Sequence, residues 1–327
     1  MMEQSGKTNS SGRKSIAVIV VSWNVKELVG RLLDSINLHM SHLDHEVIVV
    51  DNASTDGSAD FIREQYPQVQ LIANKENLGF GKANNQAVMA TEAETLILAN
   101  PDTELTSAPD TLLSHLEAQE IGAVFGRLQY PDNTTQDFIR NFPTLLNQCC
   151  EALALPNLLP GAMWACELVR KCNHKHYGYR RFIDAGSGAF FLLKRQVFLK
   201  CGMFDEQFFV YGEETDLFLN MARQGYRIYY DPSVVIIHHH GASTLQNPAM
   251  HAMLQKNKYL LIKKNYSANQ ALICRVLFFA LFDLLRLIHA SLMATLTSDS
   301  GKRARYQNRQ QKHWAGLAWE WFNIYPF

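Results

Sequence analysis

The sequence lacks net charge, because its 31 Lys and Arg residues are balanced by 31 Asp and Glu residues in a chain of 327. The broad positive field with which nucleic-acid-binding proteins attract their ligand is therefore missing, and any basic surface must be local. The six cysteines are too sparse for the disulfide framework of a secreted scaffold. We therefore expect a cytoplasmic protein that does not bind nucleic acid.

The sequence also lacks long apolar segments. Residues 1–14 are polar, contain no apolar segment of a signal peptide, and are predicted to be a disordered tail. The apolar run around residues 276–282, near the end of the chain, is shorter than the roughly 18 residues that a membrane-spanning helix needs. The sequence therefore predicts no transmembrane helix.

Short apolar runs alternate with helical patterns through the first part of the chain. The runs IAVIVVS, EVIVVD, VQLIA, TLILA and GAVFG are each of strand length. Between the first two, apolar residues recur at helical spacing from Val25 to Ile36, and further helices are predicted near residues 58–66, 81–91 and 109–118. This alternation predicts an α/β fold with a mostly parallel central sheet flanked by helices.

The ends of the first four predicted strands are unusually polar. In open α/β sheets, ligands bind beyond the carboxyl ends of the strands. The segments that follow these strands are Ser22-Trp23-Asn24, DNASTDGS (51–58), NKENLGFGKANN (74–85) and Asn-Pro-Asp (100–102). We expect these four segments to line one crevice.

Two carboxylates in these segments indicate a ligand. Asp51 ends the second predicted strand, where it can accept hydrogen bonds from ribose hydroxyls or a base N–H, although a turn with a helix N-cap at Asp56 or Ser58 is the alternative. Asp102 follows Pro101, which lacks a backbone donor and ends strand pairing. Asp102 could bind a cation that bridges two phosphates, with an ordinary Asn-Pro-Asp turn as the alternative.

The glycines of the third segment match no phosphate-binding motif. Gly79 and Gly81 are followed by Asn84 where a dinucleotide fingerprint has its third glycine, and Lys82 is followed by Ala83 where a P-loop has Ser or Thr. The two glycines either let the backbone approach a ligand or only open a helix, and both interpretations remain open.

Carboxylates and histidines concentrate in a second segment, residues 184–244. Glu213, Glu214 and Asp216 cluster in FFVYGEETDL, which indicates either a pKa-tuned site or the acidic first turn of a helix. His238 and His240 share one face of a predicted strand, while His239 points away. A rival zinc cluster is poorly spaced for that metal; its members are Cys166, Cys172, His174 and His176.

Together, VSWN, DNASTDGS, NLGFGKANN, NPD and the segment 184–244 resemble the family-2 glycosyltransferases of the GT-A fold, with a Rossmann-like sheet, and in particular the bacterial rhamnosyltransferase-like branch. The resemblance covers roughly residues 15–265 and implies a metal-binding carboxylate at Asp102 and a metal-binding histidine at His238, with His240 as second choice. Asn100 stands where the family often has another aspartate. The residues implied to contact the nucleotide sugar are Ser22, Trp23, Asn24, Asp51, Asn52, Asn77, Gly79, Gly81, Asn84, Asn100, Gly188 and Ala189.

The resemblance also implies a mechanism. Glu214 stands in place of the aspartate that serves as catalytic base, with Glu213 and Asp216 beside it. A divalent metal, Mg²⁺ or Mn²⁺, would neutralise the leaving diphosphate, and attack by an acceptor hydroxyl would invert the anomeric centre. The branch suggests dTDP-rhamnose as donor and a glycolipid or growing polysaccharide as acceptor, hence a role in building the cell envelope.

We expect three parts in the chain: the tail 1–14, a catalytic domain 15–250 and a helical extension 251–327. The catalytic domain is expected to divide into a nucleotide-binding half, 15–125, and an acceptor half, 126–250, in which residues 146–182 form either an acceptor loop or an ordinary surface loop. In the extension, Arg275, Asp283, Arg286 and His289 fall on one helical stripe and leave a broad apolar face. That face predicts peripheral binding to the inner membrane surface, assisted by Trp314, Trp319 and Trp321, with packing on the domain or in a homodimer as the alternative.

Three other functions are alternatives to this one. A nucleotidyltransferase should have a glycine-rich basic loop near the first strand, and VSWNVKE has none. A dinucleotide-binding oxidoreductase is disfavoured by the missing third glycine. A non-catalytic sugar-nucleotide-binding or scaffold protein would bind nucleotide without turnover.

Overall fold

The computed structural model of the protein describes residues 15–144, 177–239, 248–273 and 282–322. The chain divides into two compact units. The described part of the first unit comprises residues 15–139, 177–209 and 213–239, and that of the second comprises 140–144, 210–212, 248–273 and 282–322. The expected tail, residues 1–14, lies outside the described residues.

The first unit contains strands and helices that alternate as the sequence predicts. The strands are β1 (Ile16–Ser22), β2 (His45–Asp51), β3 (Gln70–Ala73), β4 (Thr95–Ala99), β5 (Thr103–Leu105), β6 (Ile121–Gln129), β7 (Arg181–Ile183), β8 (Phe190–Lys194) and β9 (Arg227–His238). The helices are α1 (Lys26–His39), α2 (Ser58–Gln65), α3 (Phe80–Met89), α4 (Asp110–His115), α5 (Arg195–Lys200) and α6 (Glu213–Arg223). The helix predicted near 109–118 is shorter than expected, and the strand predicted at GAVFG is longer.

The strands form one mixed sheet in the order β3-β2-β1-β4-β8-β6-β9-β5, with β7 paired to β9. Strands β3, β2, β1 and β4 are parallel, and so are β6 and β9. Antiparallel pairing brings in β8 between β4 and β6, and β5 and β7 beside β9. The predicted α/β class with a central sheet flanked by helices is confirmed, and the antiparallel strands are an addition to it.

Burial explains why the apolar runs form strands. In β1 and β2 nearly every residue is buried, which is typical of parallel strands covered on both faces. Helix α1 buries the stripe Val29, Leu32, Leu33 and Ile36. In the second half of the sheet the core is aromatic: the ring of Phe125 lies 5.3 Å from that of Phe191 and 5.5 Å from that of Phe218.

A buried carboxylate anchors β9. Asp231 is fully buried and contacts His115 Nε2 at 2.7 Å and Arg180 Nε at 2.8 Å. Burial by itself raises the pKa of Asp231, but hydrogen bonds from His115, Ser233 and Arg180 outweigh burial and lower the pKa to about 2. The charge at Asp231 therefore persists at neutral pH and holds α4 and the segment before β7 against β9.

The second unit is helical in its described part, with α7 (Pro248–Asn265), α8 (Ala268–Ile273), α9 (Phe282–Leu296) and α10 (Ser300–Phe322). Ile262 and Ala271 form a small core that is covered by Tyr259 and Tyr266. Asn257 donates from Nδ2 to the carbonyl of Val210 at 2.6 Å. Among the described helices, none combines the length and the apolar character needed to cross a bilayer.

Gly79 is required by the packing of the loop before α6. Its φ of 81° and ψ of 178° lie in a region that only glycine adopts readily. A Cβ atom at Gly79 would lie 2.4 Å from the carbonyl oxygen of Phe209, the same oxygen that accepts a hydrogen bond from the N–H of Phe80 at 2.9 Å. Gly57 also has a φ of 81°, but its ψ is 15° and a Cβ atom there would meet nothing within 4 Å.

These two glycines form a matched pair for a stability measurement. We expect Gly57→Ala to lower the free energy of unfolding by about 1 kcal/mol, because only the left-handed conformation is strained. We expect Gly79→Ala to lower it by roughly 3 kcal/mol or more, because backbone strain and a steric clash add. Urea denaturation of both variants measures the two losses, and equal losses would contradict the packing role of Gly79.

Candidate functional site

Two buried oxygen atoms face the carboxyl ends of β1 and β2. Ser22 and Asp51 are partners in the β1–β2 register and are 0% and 2% exposed. Asp51 accepts a hydrogen bond at Oδ2 from the N–H of Ser54 at 3.0 Å. Within the described residues, neither Ser22 Oγ nor Asp51 Oδ1 has a hydrogen-bond partner. Buried polar atoms are nearly always paired, so this position is suited to a polar ligand.

The loops after β1 and β2 hold each other in place. Asn24 has a positive φ of 55° and accepts at Oδ1 from the N–H of Thr55 at 2.7 Å, while its own N–H donates to Ser54 Oγ at 2.9 Å. Trp23 between these contacts is 50% exposed. Asn24 therefore links the two loops, and Trp23 presents an aromatic surface to the solvent.

The N-cap of α2 is Gly57 and not Asp56 or Ser58, but the side chain of Asp56 still bonds to the first residue of two helices. Its Oδ2 accepts from the N–H of Lys26 at the start of α1 at 2.9 Å, and its Oδ1 accepts from the N–H of Ser58 at the start of α2 at 3.0 Å. Burial is the largest single effect and raises the pKa of Asp56, but the hydrogen bonds from Ser58 and Lys26 together outweigh it and lower the pKa. The segment DNASTDGS thus has a structural role at Asp56 and carries, at Asp51, a carboxylate oxygen without a hydrogen-bond partner.

Asn52 joins the second and third loops. Its Nδ2 donates to Asn77 Oδ1 and to the carbonyl of Gly79, both at 3.1 Å, and its Oδ1 accepts from Asn74 Nδ2 at 3.0 Å and from the N–H of Leu78 at 3.3 Å. These contacts use the hydrogen-bonding capacity of the Asn52 amide. Asn52 and Asn77 are thus engaged in fixing the shape of the site.

Both glycines of the third segment pack closely against other parts of the protein. A Cβ atom at Gly81 would lie 3.1 Å from Cβ of Phe204 and 3.8 Å from that of Glu213. The absence of a side chain at Gly81 therefore leaves room for the segment before α6. Asn84 is buried and donates from Nδ2 to the carbonyl of Phe80 at 2.9 Å, one turn earlier in α3. The two glycines therefore let the segment before α6 approach the start of α3 closely.

The chain changes direction at Pro101. The carbonyl of Asn100 accepts from the N–H of Thr103 at 3.1 Å and from Thr103 Oγ1 at 2.7 Å, which closes a tight turn. Strand β4 ends before Pro101, as predicted, but pairing resumes immediately, because β5 begins at Thr103 and pairs with β9. Strand pairing is therefore interrupted only at the turn that carries Asp102.

This pairing brings Asp102 to His238. Thr103 is the register partner of His238, and the N–H of His239 donates to the carbonyl of Asp102 at 2.8 Å. The Oδ1 of Asp102 then lies 3.4 Å from Nε2 of His238, with side-chain exposures of 20% and 6%. His239 turns to the other side and contacts Glu104 Oε1 at 2.6 Å.

The donor set formed by Asp102 and His238 fits a divalent cation. A carboxylate oxygen and an imidazole nitrogen are common ligands of Mn²⁺ and related metals. Two ligands bound at about 2.1 Å and at right angles lie roughly 3 Å apart, which is close to the observed separation. No group of three or more His, Cys, Asp or Glu side chains that could hold a metal occurs in the described residues, and His240 lies outside them.

The three carboxylates of FFVYGEETDL occupy the first turn of α6. Glu213 and Asp216 are buried, and Asp216 Oδ2 accepts from Asn220 Nδ2 at 3.4 Å. Glu214 Oε1 lies 3.4 Å from the N–H of Gly188, and the next carbonyl, that of Ala189, accepts from the N–H of Asn100 at 2.7 Å. The Gly188-Ala189 segment therefore connects Glu214 with the end of β4.

One residue next to the predicted metal ligand was missed by sequence reasoning. The side chain of Gln136 contacts both the ring and the carbonyl of His238. A lone glutamine in a polar loop carries no periodic or motif signal that could have identified it. The rival zinc cluster of Cys166, Cys172, His174 and His176, and most of the segment 146–182, lie outside the described residues.

Comparison with known proteins identifies relatives of this chain. The N-acetylglucosaminyl-diphospho-decaprenol L-rhamnosyltransferase of Mycobacterium tuberculosis is 28% identical over 268 residues, covering 77% of this chain and 85% of that protein. Rhamnosyltransferase WbbL of Escherichia coli is 24% identical over 258 residues, covering 78% and 96%.

Solved structures support the fold. The mannosyltransferase PcManGT from Pyrobaculum calidifontis, in complex with GDP-Man and Mn²⁺, superposes with a TM-score of 0.55 at 18% identity, covering 96% of this chain and 89% of that chain. GalNAc-T7 with UDP, GalNAc and Mn²⁺ superposes with a TM-score of 0.53 at 12% identity, covering 97% and 59%.

The family model described as glycosyl transferase family 2 matches residues 17–184. That match spans β1 to β7 and contains Ser22, Asp51 and Asp102. The chain therefore belongs to glycosyltransferase family 2 and is a glycosyltransferase with the GT-A fold.

Proposed function

We propose that the protein transfers a sugar, with inversion, from a nucleoside-diphosphate sugar to a hydroxyl group of a lipid-linked or growing polysaccharide, with the help of a divalent metal. The observation that carries this proposal is the position of Asp102 Oδ1 at 3.4 Å from His238 Nε2, beyond the strand ends of a family-2 glycosyltransferase. A cation held there is suited to the diphosphate of the donor.

The nucleoside is proposed to bind at the ends of β1 and β2. Ser22 Oγ and Asp51 Oδ1 are buried acceptors that a ribose hydroxyl or a base N–H can satisfy. Asn24, Asn52 and Asn77 hold the surrounding loops, and Trp23 offers a half-exposed ring for stacking against the base.

The metal is proposed to bind at Asp102 and His238, with further ligands from the diphosphate and water. Mg²⁺ or Mn²⁺ supplies charge neutralisation for the leaving diphosphate, which makes a protonating group at that position unnecessary. PcManGT and GalNAc-T7 were both solved with Mn²⁺ and a nucleotide or nucleotide sugar, which supports the same cofactor here. Asn100 contributes an uncharged side chain, so the protein part of this site carries a single carboxylate.

Glu214 is proposed as the general base. Its Oε1 lies 3.4 Å from the N–H of Gly188, so the carboxylate is held at the loop that leads to Ala189 and Asn100. During the reaction, Glu214 takes the proton of the acceptor hydroxyl while that oxygen forms a bond to the anomeric carbon and the bond from this carbon to the diphosphate breaks. Attack opposite the leaving group inverts the centre, and Glu213 and Asp216 support the helix turn that presents Glu214.

The donor and acceptor are inferred from relatives. The names of the two curated relatives specify rhamnosyl transfer, and the name of the mycobacterial enzyme specifies a diphospho-decaprenol acceptor. We therefore propose dTDP-rhamnose as donor and a polyprenyl-diphosphate-linked sugar as acceptor, with a role in building cell-envelope polysaccharide. Such an acceptor would place the protein at the inner face of the membrane.

Helix α9 supports peripheral membrane binding. Ala290 and Ala294 are buried on one side, whereas the opposite side is a continuous aliphatic face in which each side chain is at least 43% exposed: Leu284, Leu285, Ile288, Leu292 and Leu296. Helix α10 follows with five basic residues that are mostly exposed, Lys302, Arg303, Arg305, Arg309 and Lys312, and has no acid before Glu320. An aliphatic face beside a basic helix complements an anionic lipid surface.

Vesicle flotation tests this surface. We expect the double variant Ile288→Glu and Leu292→Glu to lose at least tenfold in binding to phosphatidylglycerol-containing vesicles, because two buried acids would oppose insertion of the α9 face. The control is Gln65→Glu with Gln68→Glu, which adds the same charge at exposed positions of the first unit. Unchanged vesicle binding, with self-association lost instead, would assign the α9 face to a second copy of the chain.

Release of nucleoside diphosphate tests the reaction itself. We expect one sugar nucleotide, dTDP-rhamnose, to be consumed when Mn²⁺ or Mg²⁺ and lipid-linked acceptor are present, and consumption to stop with chelator. Asp102→Ala and Glu214→Gln should each lower the rate by about 10²-fold or more, through loss of the metal site and of the base. Asp60→Asn, at an exposed carboxylate of α2, should leave the rate unchanged.

Binding distinguishes the alternatives. Nucleotide binding without turnover, in the presence of acceptor and metal, would contradict the catalytic proposal and favour a binding or scaffold role. Full activity of Glu214→Gln would contradict the assignment of the base and leave the rest of the proposal in place.

A further inference from the structure

Gln136 contacts His238 at two points. Its Nε2 donates to the backbone carbonyl of His238 at 2.7 Å, and its Oε1 lies 2.8 Å from Nδ1 of the same histidine. Both residues are at least nine-tenths buried, with exposures of 5% and 4%. The glutamine therefore fixes the backbone and the ring of one residue at the same time.

The orientation of the Gln136 amide determines which ring nitrogen of His238 carries the proton. The carbonyls of His238 and Gln129 can only accept hydrogen bonds, so the NH₂ group of Gln136 must face them. Oε1 of Gln136 then faces Nδ1 and can only accept, so Nδ1 must carry a proton. In the neutral ring this leaves the lone pair on Nε2, which is the atom that faces Asp102.

Gln136 itself is rigidly held. Its N–H donates to the carbonyl of Leu128 at 3.0 Å, and the N–H groups of Phe138 and Ile139 donate to the hydroxyl of Tyr177 at 2.9 and 3.0 Å. Burial raises the pKa of Tyr177, so this hydroxyl stays protonated and donates to Asp137 Oδ1 at 3.0 Å. The segment is thus pinned on both sides of the side chain that contacts His238.

The same segment supports the loop beside Glu214. The carbonyl of Phe138 accepts from the N–H of Ser187 at 3.1 Å, and Ser187 precedes Gly188, whose N–H faces Glu214. One stretch of three residues, Gln136 to Phe138, therefore contacts both the histidine at the proposed metal site and the loop at the proposed base.

We infer that Gln136 is a positioning residue, which holds the His238 ring in the tautomer and orientation that present the Nε2 lone pair to a divalent metal shared with Asp102. The inference rests on the proposed metal role of His238. Hydrogen bonds to the distal nitrogen of a ligating histidine fix its ring and tune its affinity for metal. Without the glutamine, the ring is free to rotate or to carry its proton on Nε2, which cannot then bind metal.

The test is the affinity of the purified protein for Mn²⁺ alone, measured by the loss of the free-ion electron paramagnetic resonance signal. Gln136→Met keeps the side-chain length but removes both hydrogen bonds, and we expect Mn²⁺ affinity to fall about 10- to 100-fold. Gln136→Glu keeps an acceptor for Nδ1–H but loses the donor that faces the carbonyls of His238 and Gln129, so we expect its loss of affinity to be clearly smaller than that of Gln136→Met. Tyr66→Phe, which removes a buried hydroxyl bonded to Gly30 and Asp34, is the control for general loss of stability and should not change the affinity.

A double-mutant cycle separates positioning from a merely structural role. If Gln136 acts through the ring, Gln136→Met should have no further effect on Mn²⁺ affinity in the His238→Ala background. Equal losses in Gln136→Met and Gln136→Glu, or an undiminished effect of Gln136→Met without the ring, would overturn the inference.

The cycle also separates this inference from the function it rests on. Mn²⁺ affinity that is unaffected by His238→Ala would overturn the proposed metal site and the inference with it. Affinity that falls in His238→Ala but not in Gln136→Met would overturn the inference alone.

Discussion

The pairing of β5 with β9 is the contact on which the site depends. A strand of three residues, Thr103–Leu105, would be unstable alone, but its partner β9 is the 12-residue strand Arg227–His238. The register of this pairing determines which side chains meet. Because Thr103 lies opposite His238, Asp102 lies beside the histidine ring. A slip of one residue would turn His238 to the other face of the sheet.

Strand β9 is held in this register from several directions. The contacts of Asp231 with His115 and Arg180 fix the middle of β9, and Gln136 fixes its end through the carbonyl of His238. Because Asp231 is fully buried, removing His115 or Arg180 would leave its charge less well compensated and would lower the stability of the fold. The stability of the second half of the sheet and the geometry of Asp102 with His238 thus come from the same contacts.

The loops of the proposed nucleotide site are held mainly by hydrogen bonds to one another. They satisfy nearly all their polar groups among themselves, through Asn24, Asn52 and Asp56. Ser22 Oγ and Asp51 Oδ1 have no hydrogen-bond partner within the described residues. Each buried polar atom without a partner costs about 1–3 kcal/mol of stability. A ligand that supplied the missing partners would recover this free energy, which supports the nucleotide site that we propose at that edge.

Sequence patterns identified the parallel part of the fold and the edge on which the site lies. Strands β1, β2 and β4 are continuous apolar runs, and the rule that ligands bind at carboxyl ends placed Ser22, Asp51 and Asp102 on one edge. The strands β5 and β7 were not predicted, because three residues are too few to show a period of two. Their existence depends on pairing with β9, which is distant in sequence.

The roles of individual site residues were harder to derive. Gly79 was considered as a point of ligand approach, but a Cβ atom there would clash with Phe209, 130 positions later in the chain. Asn52 and Asn84 appear in polar segments that indicate a binding site, yet their side chains bond to neighbouring loops and to the α3 backbone. A polar residue at a strand end can build a site or contact its ligand, and only three-dimensional contacts separate these roles.

We propose that Asp102 and His238 together hold one divalent metal. The most direct measurement is anomalous diffraction at the manganese edge from crystals grown with Mn²⁺ and a nucleoside diphosphate. We expect one anomalous-difference peak within about 2.5 Å of both the Asp102 carboxylate and His238 Nε2. A peak bound instead by the carboxylates of Glu213, Glu214 and Asp216, or no peak in the presence of bound nucleotide, would contradict it.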